Sequence, residues 1–148
     1  HQWEGCPDVR ERAAAEEYAL DSFLNVLYGL CRFHEWTGGY PRALTVVGWR
    51  FKERRFDFHR ETVGFPALRY RYVGVNDPEE LELAERFEQL RLEDFRKDPY
   101  GRFGELAEKR AARNPFARRH GYEASCPELA GLLEHKGPER YSGPLPWD

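Results

Sequence analysis

The residues best suited to chemistry lie in Val47-Gly48-Trp49-Arg50-Phe51-Lys52-Glu53-Arg54-Arg55, where an apolar run hands over to a charged one. A glycine is followed there by four cations, Arg50, Lys52, Arg54 and Arg55. With the apolar run as a strand and the charged run as a helix, these cations stand beyond a strand's carboxyl end, where open α/β sheets bind ligands. A helix N-terminus at the same corner offers free backbone N–H groups to an anion. A phosphate, a carboxylate or a sulfonium nucleoside would suit it. The competing reading is a solvated helix face whose arginines pair with Glu53, Asp57 and Glu61. Spacing alone favours that reading, because charged helix faces are common. A second polar group, Glu16, Ser22 and Asn25, surrounds the start of an earlier helical pattern. Taken alone it is a surface acid beside an ordinary helix cap.

The elements that must position these residues follow from periodicity and punctuation. Ser22 to Trp36 places Phe23, Val26, Leu27, Leu30 and Phe33 at helical spacing, with Ser22 as the cap and Gly38-Gly39 as the stop. Ala43 to Trp49 is a near-continuous apolar run rich in β-branched residues, which predicts a strand buried on both faces of a parallel sheet. A helix over Phe51 to Glu61 and an alternating strand over Leu68 to Val75 complete an α/β order. Asp77, Pro78 and Glu80 predict the start of a helix running to about Lys97. Glu105 to Arg113 reads as a basic helix, and the Ser125/Glu128 pair as the capped start of a short one ending near His135. The tail from Gly137 to Asp148 holds three prolines and should be irregular. The opening, Cys6 to Glu17, favours helix through its alanines.

Composition bounds the function classes. A chain of 148 residues with 41% hydrophobic and 33% charged residues suits one globular core. A net charge of -3 argues against a dedicated nucleic-acid binder. The basic stretch Lys109, Arg110, Arg113, Arg118 and Arg119 therefore reads as a solvated helix face. No window reaches the length of about 18 apolar residues that spans a bilayer, and no secretory leader opens the chain. Cys6, Cys31 and Cys126 are scattered, which fits reduced thiols in an intracellular, cytoplasmic protein rather than a disulfide framework. His34, His59 and His120 lie far apart with no ligand spacing, so no metal site is expected, and copper chelation by His1 would require a processed N-terminus.

Several motifs in order carry a family resemblance: Glu16 to Asn25, Leu44 to Phe56, Asn114 to His120 and Pro144 to Trp147. The first resembles the Glu…Ser/Thr…Asn signature of the domain-of-unknown-function 218 family (SanA/ElyC/YdcF-like). The second resembles that family's strand followed by His and, three residues later, Arg, with Lys52 at the histidine and Arg55 at the arginine. The later motifs are similar to its fungal arm. The resemblance implies a Rossmann-like three-layer α/β sandwich with a mostly parallel sheet. It also implies a ligand pocket of Glu16, Ser22, Asn25, Lys52 and Arg55, with a nucleotide-like ligand such as S-adenosylmethionine. Lys52 in place of histidine keeps a cation for an anionic ligand but removes a histidine acid/base.

The resemblance implies further that Arg12 to Glu16 is a short strand ending at the acid. Residues 1–76 then form the C-terminal part of the Rossmann-like core and residues 77–148 a helical extension packed on it. Family domains begin with a strand, a glycine-rich turn and a second strand, and these motifs do not occur in this chain. Two functions are therefore expected to compete. One is a domain binding an anionic small molecule, with the reaction open. The other is a non-catalytic half-domain completed by an N-terminal half or a partner chain.

Overall fold

A computed structural model describes Val9 and residues 11–148. His1, Cys6 and residues 7, 8 and 10 of the opening stretch lie outside the described residues. The chain is mixed α/β, with one small parallel sheet and several helices.

Helix α1 spans Ser22–Thr37. Its cap is Asp21, one residue before the expected Ser22, because the Asp21 carboxylate reaches the Leu24 N–H at 2.9 Å. Gly38 closes the helix in the left-handed region at φ 75°, with its N–H returned to the His34 carbonyl. The inner face of α1 supplies Phe23, Leu27, Leu30 and Cys31, all nearly inaccessible to solvent. Residues 13–20 before it are irregular, neither the strand implied by resemblance nor the helix favoured by the alanines. The Glu16 carboxylate accepts from the Tyr18 and Ala19 N–H groups and holds that segment instead.

Strand β1 (Leu44–Gly48) lies parallel to β2 (Tyr70–Gly74), with Leu44 opposite Tyr70 and Gly48 opposite Gly74. A 3-10 turn at Arg50–Lys52 and helix α2 (Glu53–Thr62) make the crossover. The strand is not buried on both faces: half-buried and exposed positions alternate, and Val47 is 64% exposed. The run looked continuous because its outward positions, Thr45 and Val47, are also strand-forming residues.

Helix α3 covers Leu81–Lys97, later than the capping pattern predicts. Asp77 turns to Arg50 at 3.6 Å instead of capping, and Glu80 makes no side-chain cap. Helix α4 is Gly104–Arg113, and the short helices α5 and α6 are Tyr122–Ser125 and Ala130–Glu134. Ser125 ends α5 and donates to Glu35 at 2.6 Å, so it does not cap the next helix. The tail is irregular but anchored: Trp147 is buried, and its carbonyl accepts from Arg69. One continuous core joins α1, Val63, Phe65, Phe95, Tyr100, Tyr122, Leu129 and Trp147. It therefore lies between α1 and the C-terminal segments rather than on the sheet. Cys31 and Cys126 are buried free thiols within it.

Candidate functional site

Where α1 begins, α2 passes behind it and α3 crosses above, four side chains form a chain of hydrogen bonds. Arg55 of α2 donates through Nε and Nη2 to both oxygens of Glu88 on α3, at 2.6 and 2.8 Å. Its remaining nitrogen, Nη1, donates to Ser22 Oγ at 2.6 Å. Ser22 Oγ also lies 2.8 Å from His59 Nε2, one turn further along α2. The guanidinium can only donate, so Ser22 accepts from it and has its own proton free for His59. The other ring nitrogen, Nδ1, is buried with no hydrogen-bond partner.

The side chains of Arg55 and Glu88 are only 12% and 10% exposed. Such a pair adds little net stability, yet removing one partner leaves the other charge buried and costs about 3–5 kcal/mol. His59 is wholly buried against Phe23, Phe56, Phe58 and Phe95. Burial first, then the nearby charges of Arg55 and Arg110, hold it well below its ordinary value of 6.5. It is therefore a neutral packing group and a poor proton acceptor.

Four of the five residues singled out from the sequence meet at one place. Ser22, Asn25, Lys52 and Arg55 line a cleft of about 300 Å³ together with Arg113 of α4. Glu16 does not line it. Its carboxylate accepts from the Tyr18 and Ala19 N–H groups and from the Tyr122 hydroxyl, each at 2.8 Å. A carboxylate with three donors fixes the loop leading into α1 and holds the Tyr122 phenol protonated, where burial already favours that form.

The expected pairing of the helix-face arginines with Glu53 and Asp57 does not form among the described residues. Arg50 turns to Asp77, Arg55 to Glu88, and Arg60 to Glu61. Lys52 has no carboxylate within ion-pair distance among the described residues; its ammonium lies 5.5 Å from the Phe51 ring centre. The basic helix α4 is likewise not simply a solvated face. Arg110 is buried on Asp21 at 2.6 Å, while Arg113 donates to the Leu20 carbonyl.

Glu88 has no role in the sequence reading and His59 enters it only among the histidines that lack metal-ligand spacing, though both left a signal there. Glu88 is the one acid on an α3 stripe otherwise formed by Leu81, Ala84, Leu92 and Phe95. A charge on such a stripe requires a partner. His59 stands four residues after Arg55 and so shares its helix face.

The comparisons add one relative. The chain is similar to an uncharacterized protein of Saccharomyces cerevisiae, YOR238W, with 32% identity over 134 residues. The match takes in 80% of this chain and 44% of the yeast protein, so the chain spans less than half of that relative's length. No family model matches, and no solved structure matches. Among the described residues, no group of three or more His, Cys, Asp or Glu is placed to hold a metal ion. No helix there is long and apolar enough to cross a membrane.

Two outcomes follow from the network. Glu88→Leu should destabilise the fold by about 3–5 kcal/mol, whereas Arg55→Met/Glu88→Leu should cost less than Glu88→Leu alone. Urea denaturation of the full mutant cycle reads this, and additive losses would contradict the pairing. The second outcome concerns His59, which stays neutral when folded and takes up a proton when unfolded below about pH 6.5. Its contribution is complete above that pH and is lost as the pH falls, at up to about 1.4 kcal/mol per pH unit. Stability measured between pH 7.5 and 5 should fall less steeply in His59→Gln, and an unchanged slope would contradict the assignment.

Proposed function

We propose that this chain is part of a Rossmann-like α/β domain of the domain-of-unknown-function 218 type. In this reading it binds a nucleotide-like or other anionic small molecule, such as S-adenosylmethionine, in the cleft of Ser22, Asn25, Lys52 and Arg55. The observation that carries the reading is the state of the cations. Lys52 and Arg113 both line the cleft, and neither has a carboxylate within ion-pair distance among the described residues. Surface cations are usually balanced by nearby acids, and two unbalanced ones facing a concave site suit an anion.

Arg55 plays a different part. Each of its three nitrogens donates to Glu88 or Ser22, so it sets the distance between α1, α2 and α3. Ser22 and Asn25 add polar groups that can fix a ligand's orientation. Beside the cleft, a larger cavity of about 480 Å³ presents Phe51 and Phe87 along with Lys109, enough room for a nucleoside.

A second reading rests on the sheet. β1 pairs with β2 on one edge, and among the described residues no strand pairs with its other edge. Parallel sheets are normally larger and covered, so this edge suits a strand from an N-terminal half or a partner chain. In that reading the chain is a non-catalytic half-domain.

Calorimetry with ADP, S-adenosylmethionine and pyrophosphate tests the two together. Under the first reading at least one probe binds, and Lys52→Ala/Arg113→Ala weakens it by about 2–4 kcal/mol through loss of two charge-assisted bonds. Binding unchanged in that variant would overturn the cleft assignment. Binding that appears only once an N-terminal half or a partner chain is supplied would favour the half-domain.

A further inference from the structure

The anion cleft adjoins two further cavities with which it shares lining residues. Arg113 lines the 480 Å³ cavity on one side, the 300 Å³ cleft itself and a third cavity of about 510 Å³ on the other. That third lobe lies between Tyr18 and the turn at Asn114 to Phe116, and it shares Ala19, Leu20 and Arg113 with the proposed cleft.

Its far wall is Phe116, 88% exposed on a turn whose backbone is fixed. The Ala117 N–H returns to the Asn114 carbonyl at 3.0 Å. The Asn114 side chain then accepts from the Arg118 N–H at 2.8 Å and donates to the Arg118 carbonyl at 3.0 Å. An aromatic ring left in water contributes nothing to the core, while a ring on a rigid turn is a platform prepared for another π-face. Arg118 supplies charge beside it, its guanidinium 4.9 Å from the Tyr18 ring centre and with no carboxylate within ion-pair distance among the described residues. Glu17, the lobe's acid, can accept hydrogen bonds from sugar hydroxyls. Unbalanced cations thus recur across these cavities at Lys52, Arg113 and Arg118, with exposed rings toward both ends.

We infer that the ligand is an extended one: two nucleoside-like groups joined by an anionic bridge, with the bridge at Arg113 and one base against Phe116. This rests on the anion-binding reading above and adds the ligand's length and second subsite. A single nucleotide fills only part of these cavities, whereas a dinucleotide meets all three cations and the Phe116 platform.

The test compares ADP with diadenosine triphosphate by calorimetry, on the protein and on Phe116→Ala. That substitution removes an exposed ring and leaves the core untouched, which circular dichroism can verify. The dinucleotide should bind at least about 10-fold more tightly than ADP, within the range that stacking of one base supplies. Phe116→Ala should abolish most of that advantage while leaving ADP affinity unchanged. ADP binding with no gain for the dinucleotide, or a gain that survives Phe116→Ala, would overturn the extended-ligand inference and leave the anion cleft standing. Binding of neither compound would overturn the extended-ligand inference, and failure of S-adenosylmethionine and pyrophosphate as well would overturn the anion cleft.

Discussion

The Arg55 guanidinium has five donor hydrogens in a rigid plane, and this fold places partners from two other helices around it. Glu88 takes one edge as a fork and Ser22 takes the next, so α1, α2 and α3 meet at a fixed separation. The small sheet cannot do this work, since two strands give little area for helices to pack on. Geometry near the start of α1 therefore depends on a charged node set beside the apolar cluster that includes Phe23 and Phe95. The arrangement also explains why His59 is neutral and inert: it completes the node from below, among phenylalanine rings, with a cation already close by.

Consequences for function run outward from that node. With the Arg55 charge paired to Glu88, the cations without a carboxylate partner stand on its flanks, Lys52 on the turn after β1 and Arg113 at the end of α4. Their placement combines two sequence-distant pieces, and α4 is itself anchored through Arg110 on Asp21, the residue that caps α1. A single carboxylate thus caps the start of one helix and ties down another. The cleft inherits its shape from these anchors, which is a reason to expect it preformed in the free protein.

Much of the element order was legible because it rests on short-range signals. Gly38 ends α1 where a left-handed residue is needed, and the βαβ order over residues 44–74 shows in the alternation of apolar and charged runs. The caps were less legible. Asp21 and Ser22 are adjacent candidates, and the choice was decided by Arg110, 89 positions away, which orients the aspartate. Asp77 and Ser125 were likewise drawn from capping by Arg50 and Glu35, partners that no local pattern reveals. The site shows the same division. Ser22, Asn25, Lys52 and Arg55 gather at one cleft, but Glu16 is taken up by its own loop and by Tyr122. Spacing could not tell that Arg55 would be spent on Glu88, since that pairing depends on how α3 crosses α2.

The most direct measurement is nitrogen-15 NMR of the arginine Nε–H groups during titration with ADP. Each guanidinium reports separately, and a hydrogen bond to phosphate shifts its resonance. With Arg55 held between Glu88 and Ser22 and the anion held by its neighbours, the Arg113 signal should move with ligand while the Arg55 signal stays in place. A shift at Arg55 with Arg113 unmoved would contradict the account, by showing that the buried fork is itself the ligand site.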